Sequence, residues 1–129
     1  MAQIEHVALY ADGDPGPLKD FYVAAFGFRV LVDNRHTTPP GYFLAGDDGG
    51  MALEIIGRPS GTSNTDQRYV CHVAILVEDV AATRAQLEAQ GLPIEAETAV
   101  ANESMTTCFV RDPAGNRIQI VHRSRPLGS

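Results

Sequence analysis

Hydrophobic and polar positions in the first half of the chain predict one helix and four strands. Residues alternate from Ile4 to Tyr10 with the period of a strand, and a run of Asp, Gly and Pro at 12–17 predicts a helix start. The helix carries apolar residues at i, i+3, i+4 and i+7 and ends at a glycine: Leu18, Phe21, Tyr22, Ala25 and Gly27. Three further strands are predicted at Phe28–Val32, Tyr42–Ala45 and Met51–Ile56, with a hairpin turn at 47–50 before the last.

The second half predicts the same order of elements. A strand at Val70–Val77 precedes a helix that Asp79 caps and that runs from there to Gln90, stopping at Gly91. Strands follow at Ile94–Val100, Thr106–Val110 and Arg117–His122, and the sequence Asp112-Pro113-Ala114-Gly115 fits a type I turn.

The two halves also share a short motif, which indicates an internal repeat. His-Val-Ala followed by a branched apolar residue occurs at His6 and again at His72. We therefore predict an α+β fold of two tandem βαβββ modules, at about 3–57 and 69–123, joined by a polar linker at 58–68. Together they form a single domain over residues 1–129.

Composition narrows the classes of function. A formal charge of −6 and a pI near 5.0 argue against a nucleic-acid partner. No run of 18 or more apolar residues exists and no signal peptide is recognisable, so we expect no membrane insertion and a cytoplasmic location. The two cysteines, Cys71 and Cys108, are interpreted as reduced, buried thiols. The terminal residues 126–129 are taken as a tail outside the fold.

Candidate chemistry lies at matched positions of the two modules. Glu54 stands between Leu53 and Ile55, and Gln119 stands between two isoleucines in the same way. If the helices cover the apolar faces, then both histidines and both polar residues face the opposite side of their sheets. Two imidazoles, one carboxylate and one amide oxygen suit a divalent transition metal, and the lack of sulfur disfavours a closed structural zinc site. The alternatives are a solvated carboxylate and hydrogen-bonded strand histidines.

Several motifs over residues 3–123 resemble those of the vicinal-oxygen-chelate superfamily, which includes glyoxalase I, bleomycin-resistance proteins, fosfomycin-resistance proteins and extradiol dioxygenases. The motifs are His6-Val7-Ala8-Leu9, Phe21-Tyr22 with Gly27-Phe28, Leu53-Glu54-Ile55, His72-Val73-Ala74 and the run from Asp112 to Ile120. The resemblance implies paired modules that form a cupped, mostly antiparallel sheet around a cleft, with the helices on the outer face. It also implies a homodimer, in which a site is built from one chain or from two.

The resemblance assigns roles to individual residues. The metal ligands would be His6, Glu54, His72 and Gln119, and the cofactor a divalent nickel, cobalt, manganese, iron or zinc ion. Gln119 stands where the family usually has Glu, and an amide cannot take up a proton, so Glu54 would be the catalytic base. Substrate-binding residues on the cleft wall would be Tyr10, Phe43 and Met105.

Two functions follow from the resemblance. The first is a glyoxalase-like, metal-dependent enzyme of the lyase or isomerase type that acts on a small oxygenated substrate. The alternative is a metal-free protein of the bleomycin-resistance kind that binds a small, antibiotic-like molecule. A glutathione substrate is disfavoured, because Tyr10 and Arg58 stand where glyoxalase I commonly has Arg and Asn. A fosfomycin-resistance-like transferase is disfavoured by Gln119, and extradiol dioxygenases generally have longer chains.

Overall fold

The computed structural model describes residues 5–47, 50–59, 61 and 72–126, and within them the predicted order of elements is confirmed. The elements are β1 (His6–Tyr10), α1 (Pro15–Phe26), β2 (Arg29–Asn34), β3 (Gly41–Ala45), β4 (Ala52–Ile56), β5 (Val73–Leu76), α2 (Val80–Ala89), β6 (Ile94–Ala101), β7 (Met105–Arg111) and β8 (Arg117–Arg123). Some predictions fall outside the described residues: Ile4 in the first strand, the centre of the 47–50 turn, most of the linker, Val70 and Cys71, and most of the tail.

The strands form two four-stranded mixed sheets, which gives an α+β fold of two tandem modules. The first sheet has the order β1-β4-β3-β2 and the second the order β5-β8-β7-β6. In each, the first pair is parallel and the other two are antiparallel, because the helix after the first strand makes a crossover connection. The chain divides into two compact units, Met1–Asn64 and Thr65–Ser129.

Helix α1 begins and ends where the sequence predicts. The Asp14 carboxylate accepts a hydrogen bond of 2.8 Å from the Gly16 backbone N–H, and Pro15 occupies the first turn, where its missing N–H costs nothing. At the other end Gly27 has φ of 70°, a left-handed conformation that glycine adopts without a Cβ clash. The cap therefore turns the chain directly into β2.

The core of the first unit lies between α1 and one face of strands β3 and β4. Tyr22, Leu44 and Ile55 are essentially inaccessible to solvent, and each such apolar side chain contributes about 1.5–3 kcal/mol of burial free energy. Leu53 is also buried, so the face of β4 that alternates with Glu54 is the covered one, as predicted. This leaves Glu54 on the face that α1 does not cover.

The second unit is built in the same way. Asp79 caps α2 by accepting a 2.9 Å hydrogen bond from the Ala82 N–H, and the helix packs on β7 and β8. The fully buried side chains on this covered face are Leu87, Cys108, Val110, Ile118 and Ile120. Because Ile118 and Ile120 are buried, alternation places Gln119 on the other face of β8. No helix among the described residues is long and apolar enough to cross a membrane.

Candidate functional site

In the first unit, the structure brings together the two residues predicted as its metal ligands. His6 stands at the start of β1, and β4 pairs beside it in parallel, with Ala8 opposite Glu54. The His6 Nε2 atom lies 3.5 Å from a Glu54 carboxylate oxygen. Their side chains are 36% and 23% exposed, so both remain accessible from the face that α1 leaves uncovered.

The other nitrogen of the His6 ring has its own partner. His6 Nδ1 lies 3.0 Å from the carboxylate of Glu5, the preceding residue. A carboxylate can only accept, so the Glu5 contact places a proton on Nδ1, and a cation held between Nε2 and Glu54 would then meet the lone pair of a neutral ring. This is the tautomer in which a histidine uses Nε2 as a ligand while a carboxylate orients the ring.

Phe43 packs against His6 on the same face. It stands opposite Glu54 in the β3–β4 ladder, and its ring meets the His6 ring edge to face with centroids 5.2 Å apart. Tyr10 is on this face too, but at the far end of β1, where it is 47% exposed and the Arg58 guanidinium lies 4.7 Å from its ring centre. Of the predicted substrate-binding residues, Phe43 therefore contacts the His6 side chain, while Tyr10 lies further along the strand.

The second unit repeats this arrangement, with Gln119 in the position that corresponds to Glu54. Gln119 of β8 stands opposite Ala74 of β5 and opposite Phe109 of β7. The Phe109 ring meets His72 edge to face at 5.0 Å, as Phe43 meets His6. His72, Gln119 and Phe109 thus share one face of the sheet, and the fourth predicted ligand is an amide.

The Gln119 amide is held by a hydroxyl that the sequence reasoning did not single out. Its Nε2 donates to Thr107 Oγ1 at 3.0 Å, and Thr107 Oγ1 in turn donates to the Ile120 backbone carbonyl at 2.8 Å. Thr107 lies two residues before Phe109, and alternation in β7 is the signal that places it on the Gln119 face.

An arginine on the same face was also missed. The Arg117 guanidinium lies 3.9 Å from the centre of the Phe109 ring, and its Nε donates to a Glu95 carboxylate oxygen at 2.9 Å. The Arg117 side chain is only 9% exposed, so the guanidinium that stacks on Phe109 is largely shielded from solvent. Its spacing of two residues from Gln119 is the sequence signal for a shared face.

Met105, the third predicted substrate-binding residue, lies at the start of β7. Its sulfur is 3.6 Å from the Arg123 guanidinium in the paired strand β8. It belongs to the same face as Thr107 and Phe109 and is partly exposed.

Two observations bear on ligands in the described residues. No three His, Cys, Asp or Glu side chains in this part of the chain are grouped closely enough to hold a metal ion. A shallow groove lies beside the start of α1, lined by residues such as Arg35, His36, Pro39, Tyr42 and Arg58. None of the predicted site residues lines this groove, and His36 belongs to its exposed loop.

Comparison with known proteins identifies the family of this chain. Residues 3–120 match the profile of the Glyoxalase/Bleomycin resistance protein/Dioxygenase superfamily. No curated protein matches the sequence.

Solved structures of diverse description share the fold. TnmS3, an antibiotic binding protein from Streptomyces sp. CB03234, is 20% identical with a TM-score of 0.71, the alignment covering 96% of this chain and 98% of that one. FosX, a fosfomycin resistance protein from Listeria monocytogenes, is 15% identical with a TM-score of 0.75, covering 98% and 94%. Lactoylglutathione lyase from Agrobacterium tumefaciens is 22% identical with a TM-score of 0.65, covering 95% and 94%.

Proposed function

Because this chain belongs to the Glyoxalase/Bleomycin resistance protein/Dioxygenase superfamily, we propose that it is a metal-dependent enzyme of the glyoxalase type. It would act on a small oxygenated substrate as a lyase or isomerase, with His6, Glu54, His72 and Gln119 as ligands of one divalent ion. The observation that carries the proposal is the pair formed by His6 Nε2 and the Glu54 carboxylate, 3.5 Å apart.

The first unit's donors fit such an ion. Ligand atoms that bind one ion at about 2.0–2.2 Å in neighbouring positions lie roughly 3 Å apart, close to the separation seen between His6 and Glu54. The contact between Glu5 and His6 Nδ1 supports the tautomer that such binding requires. The second pair, His72 and Gln119, adds an imidazole and a neutral oxygen, a set that nickel, cobalt, manganese, iron or zinc accepts.

A bound divalent ion would supply Lewis-acid polarisation of a substrate oxygen. Glu54 is the residue of the four that can take a proton from the substrate and return it, since the Gln119 amide has no comparable basicity. Phe43 and Phe109 pack edge to face against His6 and His72 and so restrict the positions of the two imidazole rings. Tyr10 and Met105, on the same strand faces, are proposed to contact the substrate.

The experiment is elemental analysis of protein purified without chelator and again after nickel, cobalt, manganese, iron or zinc is added. We expect about one ion per chain in wild type and a loss in the His6→Ala/His72→Ala variant. The chain offers a matched control in its other two histidines, His36 and His122, which are exposed and should be dispensable in a His36→Ala/His122→Ala variant. Wild type that neither contains nor takes up metal would refute the function, and retention by the first variant would refute the ligand assignment.

A second function is a metal-free protein that binds a small, antibiotic-like molecule. It is supported by the shared fold with TnmS3 and by the apolar side chains exposed on the same strand faces, among them Tyr10 and Leu76. It also agrees with the amide at position 119, which binds ligands by hydrogen bonds without charge. Here ligand binding would persist in excess chelator and in the His6→Ala/His72→Ala variant, whereas the metal enzyme loses binding in both.

We also propose a homodimer in the cytoplasm with no nucleic-acid partner. The formal charge of −6 supports the last point, since nucleic acid recruits basic surfaces. Light scattering after size-exclusion chromatography measures the oligomeric state directly, and a mass near 13.9 kDa would contradict the dimer.

A further inference from the structure

The hydrogen bonds around Gln119 determine which end of its amide faces a ligand. The hydroxyl of Thr107 is buried, with 4% of the residue exposed, and it carries a single proton. That proton is donated to the Ile120 carbonyl over 2.8 Å. Toward Gln119 the hydroxyl can therefore only accept, and the amide must offer it an N–H.

The reverse orientation of the amide is unfavourable. It would set the Gln119 oxygen against the lone pairs of Thr107 at about the 3.0 Å that now separates donor and acceptor. Relieving that contact would require the hydroxyl to turn and give up its bond to the Ile120 carbonyl. The loss of a hydrogen bond by a buried group favours the present orientation over the reverse one by about 5- to 150-fold.

Strand register shows where the amide oxygen is then directed. Thr107 lies on the β7 side of Gln119, two residues before Phe109, and so stands opposite Val121. His72 lies on the β5 side, two residues before Ala74, toward the other end of β8. Thr107 and His72 are thus diagonal neighbours of Gln119 on opposite sides. An amide whose nitrogen faces Thr107 turns its oxygen away from it, toward the His72 side.

The first unit shows why only one of the two modules has this hydroxyl. The position that matches Thr107 is Gly41, two residues before Phe43, and a Cβ there would come within 2.7 Å of the Ile55 carbonyl oxygen. The residue it would orient is Glu54, whose two carboxylate oxygens are both acceptors. Either carboxylate oxygen can face the ligand, so no partner is needed to orient the group. An amide has one acceptor oxygen and one donor nitrogen, so its orientation matters.

We propose that Thr107 is a positioning residue that fixes the Gln119 amide with its oxygen presented as an acceptor to the bound ligand. The inference rests on the proposed function only for the identity of that ligand, because the orientation follows from hydrogen bonds within the second unit. In the second module, Thr107 and Gln119 together present the acceptor oxygen that Glu54 presents by itself in the first module. Gln119 then acts as a neutral ligand whose orientation is fixed by its hydrogen bond to Thr107.

The test of orientation is nuclear magnetic resonance of the metal-free protein. The Gln119 side-chain NH₂ signals are assigned by their loss in Gln119→Glu. We expect one of the two protons to exchange slowly with solvent in wild type and in Thr107→Ser, which keeps the hydroxyl, and both to exchange rapidly in Thr107→Val. Thr106→Val, on the opposite face of β7, is the matched control and should leave these signals unchanged. Rapid exchange in wild type, or signals that Thr107→Val leaves unaltered, would overturn the proposal.

A second measurement tests the consequence for binding with Ni²⁺ alone as the probe. Thr107→Val should weaken Ni²⁺ binding by on the order of 10-fold, the effect typical of residues that orient a metal ligand. Thr107→Ser should restore it, and Thr106→Val should not change it. If Thr107→Val binds Ni²⁺ as tightly as wild type, the positioning role is wrong. If wild type binds no Ni²⁺, the metal-dependent function fails, while the orientation of Gln119 is still decided by the resonance experiment.

Discussion

Glu54 and Gln119 occupy matched positions in β4 and β8, yet their surroundings differ in a way that follows from their chemistry. Glu54 lies beside His6 Nε2. The residue of β3 that corresponds to Thr107 of β7 is Gly41, which has no hydroxyl. Gln119 is held by Thr107. Alternation in the sequence predicted that both residues share a face with a histidine. It did not predict Thr107, because spacing shows which face a side chain occupies and gives no information on the direction of a hydrogen bond.

A substitution at Glu54 separates the contributions of its oxygen and its charge. Glu54→Gln keeps an oxygen beside His6 and should weaken Ni²⁺ binding measured by calorimetry, on the order of 10-fold, since a carboxylate binds a cation more strongly than an amide does. Glu54→Leu removes the oxygen as well and should bind more weakly still. Equal affinity in wild type and Glu54→Leu would show that Glu54 is not a ligand.

The Cys108 thiol is predicted to be unreactive and to make stability fall at high pH. Burial raises the pKa of Cys108, so the folded protein holds the thiol proton above the pH at which an unfolded thiol, with a pKa of about 8.5, loses it. The folded state then binds more protons than the unfolded state, and the free energy of unfolding falls as pH rises above about 8.5.

Chemical denaturation at pH 7 to 10 measures this effect. Between these values wild type should lose more stability than Cys108→Ala, which lacks the thiol but keeps Cys71. Parallel pH profiles for the two proteins would contradict the assignment of a buried, protonated thiol.

At the scale of elements, the turn between β7 and β8 depends on one buried carboxylate. Asp112 Oδ1 accepts from the backbone N–H groups of Ala114 and Asn116, both at 2.9 Å, and Oδ2 accepts from the Asn116 side chain at 2.8 Å. The backbone bond from Gly115 N–H to the Asp112 carbonyl, 2.9 Å, closes the predicted type I turn. This turn sets the β7–β8 register that places Phe109 opposite Gln119.

Asp112→Ala should therefore destabilise the protein by about 2–4 kcal/mol, because several buried donors lose a charged acceptor at once. The matched control is Asp33→Ala, whose carboxylate accepts from the Arg35 backbone N–H in an exposed loop and should cost less than about 1 kcal/mol. Urea unfolding at neutral pH gives both values. Similar losses for the two variants would show that burial of the Asp112 carboxylate is not the cause.

The elements themselves were largely predictable, and the exceptions have physical causes. Both helices were recognisable because their caps, Asp14 with Gly27 and Asp79 with Gly91, are encoded locally. Strand β2 was expected at Phe28–Val32 but spans Arg29–Asn34, and its pairing with β3 shifts in register between Val30 and Val32, an irregularity that the sequence did not signal. The pairing of β1 with β4 joins residues that are distant in sequence. The distance between His6 and Glu54 could therefore not be predicted from the sequence.

Across the whole chain, duplication of the module explains why the proposed ligands come in pairs. In the first module the histidine is the first residue of β1, in the second it immediately precedes β5, and each module has one polar residue in its last strand; the sequence already showed this repeat. The family profile, matched over residues 3–120, spans both modules. Membership of the family does not determine the reaction or the ligand. Proteins that share the fold are described as an antibiotic binding protein, a fosfomycin resistance protein and a lactoylglutathione lyase.

Whether both histidines bind one ion can be measured by pulsed electron paramagnetic resonance of protein loaded with one equivalent of Cu²⁺. This method counts imidazole nitrogens coupled to the metal. We expect two coupled imidazoles in wild type and in His36→Ala/His122→Ala, and one in either His6→Ala or His72→Ala. A spectrum with no coupled imidazole, or one that neither single variant changes, would contradict this expectation.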